Sequence, residues 1–468
     1  MADLYPSPAK PLSVARALNR DVFTEDQCAT LKFWRGAWYR FSGKSWRRVT
    51  ELTVKGPIWE RLEQVVYEGE KGIADYSPTP AKVANVLEPL QILNGLDDEL
   101  EPPLWLAGER GNPHDLIVLN NGILNYRTGE FAEHHDARLF TLWHLPFDYD
   151  PEAECPTWNR FLAETFAHDQ AAARTLQQWF GYCISGRTDL QKALLLVGPP
   201  RSGKGTVSRV LQQLVGMENA VSPSLGSLGG EFGAQGLIGK QLAVIEDARD
   251  DRNRNAATTV ERLLGIIGED KLTINRKNLP FWDGQLPTRI MLVSNEVPRF
   301  GDSSGALVRR FIAIELKRSH ADNPDTALGR KLAAELPGIL RWALEGLHDL
   351  EVAGNFTTPD TMAGVSEMLA DLSQPVAVFL DDHEGYEVTG SPDDYVLLRA
   401  LHHSYKGWCE QVGIGALKQT SFAQALKATD PRIELKNTAV GGQRKARRIF
   451  GVKEVNTSNV WQLSGQTA

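Results

Sequence analysis

Gly198-Pro199-Pro200-Arg201-Ser202-Gly203-Lys204-Gly205-Thr206 sets glycines, a lysine and a hydroxyl at the spacing of a phosphate-binding loop. Where such a loop opens a helix, successive backbone N–H groups wrap a phosphate and the helix N-terminus adds partial positive charge. Lys204 would bridge the outer phosphates of ATP. The usual loop places Ser or Thr directly after the lysine to ligate magnesium; here Gly205 intervenes and the hydroxyl comes from Thr206.

Three further sites suit the same chemistry. The apolar run Leu242–Ile245 ends in Glu246-Asp247, and the C-terminal edge of a buried strand faces the ligand in open α/β sheets. One carboxylate would hold the magnesium shell and the other polarise the attacking water. Asp247, with Thr206, is the expected metal contact, although residue types leave the two carboxylate roles exchangeable. Ile290–Ser294 leads into Asn295, a neutral polar group suited to positioning water beside the γ-phosphate. Arg309 and Arg310 precede the run Phe311–Ile314. An arginine lent to a neighbouring subunit's ATP stabilises transition-state charge and makes hydrolysis depend on assembly. Either member of the pair could be that residue, the other forming an ordinary salt bridge.

These groups need a parallel sheet to hold them. Ala193–Val197, Leu242–Ile245, Ile290–Val293 and Phe311–Ile314 read as its strands, separated by helices and glycine loops. Val207, Val210, Leu211, Leu214 and Val215 keep helical spacing after the loop. The predicted plan is a tail at 1–20, an α+β domain at 21–155 and a helical connector at 156–190. An α/β ATPase core at 191–316, a helical lid and linker at 317–375 and a winged-helix-like domain at 376–468 complete it. In the second unit, Phe33–Trp46 alternates aromatics with turn residues as strands joined by a Ser-Gly hairpin, and Asn120-Asn121-Gly122 turns between two apolar strands. Those aromatics, interleaved with Arg and Lys, build a core or stack on bases. In the last unit, Ser391-Pro392 is a helix start, followed by a second helix near Ser421–Lys427 and a hairpin turning at Gly441-Gly442.

At 468 residues the chain has room for several such units. Its net charge of −8 argues against wholesale phosphate binding, yet the charge is unevenly spread. Arg444, Lys445, Arg447 and Arg448 form a basic stretch near the C-terminus, suited to a DNA-binding wing or to a solvated face. Cys28, Cys155, Cys183 and Cys409 lie far apart, which argues against a disulfide framework or a zinc site. No apolar run approaches the roughly 18 residues that would span a bilayer, and Met1–Lys10 lacks the pattern of a secretory signal.

The order P-loop, Glu246-Asp247, Ser294-Asn295-Glu296-Val297-Pro298, Arg309-Arg310-Phe311 resembles superfamily 3 helicases of the AAA+ class. More narrowly it resembles the helicase part of phage and plasmid primase-helicases. Ile267–Lys277 matches an additional motif of that group, and Pro103–Leu106, Leu119–Gly122 and Pro146–Asp150 resemble the domain that precedes their ATPase. The resemblance implies a hexameric ring that uses ATP and Mg2+ to unwind single-stranded or forked DNA in the cytoplasm of a bacterial host, with 3′ to 5′ direction. It implies a separate primase or polymerase, since no such module stands ahead of the core. It also implies that Lys271–Arg289 holds a hairpin following DNA in the pore; Leu272–Arg276 and Phe281–Gln285 can pair to set Arg276 and Lys277 near its tip. Two alternatives stay open: an ATP-switched initiator or loader that binds DNA without processive unwinding, and a nucleotide kinase, because Gly-Lys-Gly-Thr is also similar to the loop of adenylate kinases.

Overall fold

The computed structural model describes residues 3–108, 110–246, 256–298, 300, 305–319, 325–373, 375–382, 385–412, 415–439 and 445–455. At its centre lies a five-stranded, all-parallel sheet in the order Ala220–Val221, Leu242–Glu246, Arg289–Ser294, Ala193–Val197, Phe311–Glu315. Its central strands are apolar on both faces because helices cover both. Alternation along Ala193–Val197 sends Leu194 and Leu196 into one core with Val207, Leu211, Trp179 and Leu340. Leu195 goes into the other with Ile245, Leu263 and Val365.

The first of those cores is built by helices Gln170–Ile184, Lys204–Val215 and Leu336–Ala353. The first and last of these approach so closely that glycine is needed at the crossing. A Cβ on Gly181 would lie 2.5 Å from the Ala343 carbonyl oxygen, and one on Gly346 would lie 2.4 Å from that of Gln177. Much of the segment expected to be lid and linker is therefore bound into the core.

Ahead of the sheet, helices Pro11–Val22, Glu51–Glu63 and Pro80–Asn94 pack around Val14, Leu18, Ile58, Leu62, Val86 and Leu90. Thr50 and Thr79 cap the second and third, each side chain accepting a backbone N–H three residues on. The expected tail at 1–20 is corrected here. Leu4–Tyr5 pairs in parallel with Val66–Tyr67, and the helix from Pro11 buries Val14, Ala15 and Leu18 completely. Its apolar stripe is one short helix long and becomes meaningful only against the two later helices. The aromatic block forms the antiparallel strands Leu31–Trp34, Ala37–Phe41 and Trp46–Val49, with Trp34, Trp38 and Trp46 buried. Leu116–Leu119 and Gly122–Asn125 turn at Asn120-Asn121.

The C-terminal unit sets helices Pro375–Asp382, Leu398–Gln411 and Gln419–Thr429 on the sheet Tyr395–Leu397, Ala446–Phe450, Glu434–Thr438. The expected helix start at Ser391-Pro392 is corrected. Tyr395–Leu397 pairs with Phe450–Arg448, so the helix begins at Leu398. The Gly441-Gly442 turn lies outside the described residues. Among the described residues no helix is long and apolar enough to cross a membrane.

Candidate active site

The loop after Val197 is shaped by close neighbours. A Cβ on Gly198 would fall 2.3 Å from the Leu316 carbonyl oxygen, and Gly203, with φ of +97°, has the Phe161 ring 2.9 Å from where its Cβ would be. Gly205 meets no such obstacle. Lys204 begins the helix and is 7% exposed. Its ammonium donates to the carbonyls of Gly198 at 2.7 Å and Pro199 at 2.8 Å, and to Ser202 Oγ at 3.3 Å. Burial lowers its proton affinity.

Parallel register brings the other groups level with this loop. Val197 stands opposite Ser294, and Glu246 opposite Val293, so three adjacent strands end together. Pro200, Arg201, Ser202, Gly203, Lys204, Gly205 and Thr206 line one cavity of about 1020 Å³ together with Glu246 and Asn295. Asp247 lies outside the described residues. Ser208, 1% exposed, donates its hydroxyl to Glu246 Oε1 at 3.4 Å, and Thr206 and Glu246 give the cavity hard oxygen donors of the kind magnesium takes. Among the described residues no cluster of three or more His, Cys, Asp or Glu side chains forms a metal cage. A nucleotide-borne magnesium needs only one or two carboxylates.

Several lining residues escaped the sequence reading. Arg160 and Glu164 on helix Pro156–Thr165 form the facing wall, and Arg209 and Asp325 extend the rim. The i,i+4 spacing of Arg160 and Glu164 was a usable signal that the pair shares a helix face.

Arg309 and Arg310 are not in this cavity. Phe311 pairs with Ala193 and Glu315 with Val197, so the two arginines stand at the sheet's other edge, about 17 Å from the loop by strand rise. Arg309 is exposed. Arg310 donates to the Leu264 carbonyl at 2.8 Å and packs over Gly268.

Leu272–Arg276 and Leu279–Gly284 form the expected hairpin, turning at Lys277 and at Asn278, whose φ is +59°. Arg276 Nε donates to the Pro280 carbonyl at 2.7 Å, and the Lys277 backbone N–H to Gln235 Oε1 at 3.0 Å. In the C-terminal basic stretch Arg444 lies outside the described residues, while Lys445 and Arg447 are exposed. Arg448 is a correction: it is 1% exposed, donates to the Thr438 carbonyl and lies 5.4 Å over the Tyr395 ring. Strand alternation turns it inward where Arg447 faces out.

Residues 196–310 match a model described as a family of unknown function, DUF5906, and residues 33–167 match one described as "D5 N terminal like". The second match fits the resemblance to phage primase-helicases. Among solved structures, the A form of the apo NrS-1 C terminal region is 13% identical with a TM-score of 0.50, covering 94% of this chain and 99% of that one. Another apo structure of the same region is 12% identical with a TM-score of 0.51, covering 95% and 99%. At such identities the likeness is one of fold.

Proposed function

We propose that the chain is an ATP-driven DNA helicase or translocase of phage, prophage or plasmid replication, working as a hexameric ring inside the bacterial host. The observation that carries this reading is a division: Lys204, Thr206, Glu246 and Asn295 share one cavity, whereas Arg309 and Arg310 stand at the opposite sheet edge. A chain that holds Arg309 and Arg310 away from its own pocket, with Arg309 exposed, suits neighbours that complete each other's sites.

In this reading the loop N–H groups and Lys204 bind and orient the ATP phosphates. Glu246 accepts a proton from the attacking water, Asn295 fixes that water's position, and Arg309 of a neighbouring copy meets the charge that develops on the γ-phosphate. Magnesium, when bound, would neutralise phosphate charge; Thr206 and Asp247 would hold it. Arg310, engaged with Leu264, serves the fold. Arg276 and Lys277 on the hairpin, and Lys445 and Arg447 on a winged-helix-like C-terminal domain, would contact DNA phosphates. Arg444 belongs with them by sequence.

Strand displacement on forked DNA, with ATP and magnesium, tests the proposal. Unwinding that Lys204→Ala abolishes is the expected result. DNA-stimulated hydrolysis by an assembled ring with no displacement would instead favour an ATP-switched initiator or loader, to which the exposed Lys445 and Arg447 are equally suited. Phosphate transfer to a nucleoside monophosphate would favour a kinase.

A further inference from the structure

A second cavity, of about 490 Å³, lies at the seam between the aromatic sheet of residues 31–49 and the Leu272–Gly284 hairpin. Its wall carries five cations, Arg35, Arg47, Arg48, Lys240 and Arg276, against the carboxylates of Glu101, Glu218 and Glu269. The carboxylates are engaged. Glu101 pairs with Arg35 at 2.5 Å, Glu218 pairs with Arg47, and Glu269 accepts from the Thr188 hydroxyl. Lys240 donates to the Glu218 carbonyl.

Arg48 and Arg276 are left facing the same space, one from each side of the seam. Arg48 is exposed and has no ion pair among the described residues, and Arg276 donates only Nε, to Pro280. Their proximity is felt: after burial, the charge of Arg48 is the main influence that lowers the proton affinity of Arg276. Tyr39 lines the same cavity, its phenol raised by burial and drawn back down by Arg48, Arg35 and Arg276. Like charges in a concave, half-dry site are unfavourable until an anion bridges them, and guanidinium pairs suit phosphate. The same hairpin, outside the cavity lining, exposes Phe281 at 63%, an aromatic face on which a base can stack. Trp34 and Trp282 are buried and occupied by Arg35, 4.4 and 5.6 Å from their rings.

We propose that the seam is a single-stranded DNA site, in which Arg48 of the N-terminal sheet and Arg276 of the hairpin grip one phosphate together and Phe281 stacks on the adjoining base. The inference rests on the reading that the chain binds DNA, but not on ATP turnover or unwinding. It makes the N-terminal unit a part of the DNA grip.

The test is binding of a fluorescein-labelled oligo(dT) to the full chain, without nucleotide, at several salt concentrations. Arg48→Gln, at an exposed position, should weaken binding roughly tenfold and reduce the salt slope by about one. Arg276→Gln should do likewise, and the double variant should fall well short of the product of the two losses because both hold one phosphate. Wild-type binding that Arg48→Gln leaves unchanged, or that the double variant loses multiplicatively, overturns the seam site alone. No binding by the wild type removes the DNA reading as well.

Discussion

The Lys192 ammonium donates to the Arg309 carbonyl at 2.8 Å, which pins the Arg309-Arg310 turn beside the start of strand Ala193–Val197 rather than its end. The loop that begins at Gly198 leaves from that strand's other end, after Val197. In one copy, then, Arg309 and Lys204 are separated by the length of the sheet.

Arg309→Ala should therefore hydrolyse ATP at least 10³-fold more slowly alone and regain activity when mixed with Lys204→Ala, which supplies the arginine while accepting none of the work. Turnover measured across mixing ratios checks this; a flat line at the background rate would exclude shared sites. Arg310→Ala should behave differently, lowering the unfolding free energy by about 1 kcal/mol through its lost bond to Leu264.

Glu246→Gln should keep nucleotide binding and lose about 10²- to 10⁴-fold in turnover, since it removes a proton acceptor and leaves the loop intact. Fluorescent-nucleotide titration beside a phosphate-release assay separates the two quantities. Equal losses in both would make Glu246 a binding group only.

Gly346→Val should destabilise the core by roughly 1–3 kcal/mol or more, because the added atoms meet the Gln177 backbone. Gly205→Ala, where a Cβ meets nothing within 4 Å, should leave the melting temperature unchanged. Calorimetry of both variants is the check.

His144 lies against the aromatic sheet, 3.0 Å from Ser45 Oγ and 3.1 Å from an Arg47 nitrogen. Burial, and then the Arg47 charge, push its pKa down from 6.5 to about 4. The folded state thus holds it neutral while the unfolded state takes up a proton below pH 6.5. Its contribution is present above that pH and is lost as pH falls towards 4. The melting temperature of His144→Gln should fall less steeply than wild type over that window; parallel curves would discount the histidine.

Arg447→Ala should weaken DNA binding and leave stability unchanged, whereas Arg448→Ala should do the reverse, by about 1–3 kcal/mol for the stranded Thr438 carbonyl. Filter binding and thermal melts on the two variants give the contrast.

Local chemistry explains what could be read without coordinates. A glycine loop between an apolar strand and an amphipathic helix is specified within some twenty residues, and so are the four long strands of the sheet, since a strand buried on both faces must be apolar throughout. The glycine loop after Val197, the strand ends at Glu246 and Asn295 and the hairpin around Lys277 were legible for that reason. Residues 11–22 were not, because a three-turn helix with a short stripe gains meaning from the helices it meets. Nor was the start at Leu398, where pairing with Phe450 overrides a good capping sequence at Ser391.

By itself, then, the sequence determined which residue types stand at strand ends and loops, because those depend on neighbours a few positions away. Only the tertiary structure decided which of them meet. Parallel register set Glu246 and Asn295 beside Lys204 and sent Arg309 to the far edge, alternation buried Arg448 and exposed Arg447, and the packing of the N-terminal sheet on the hairpin brought Arg48 to Arg276. Each of these is a contact between segments distant along the chain, and no local preference encodes it.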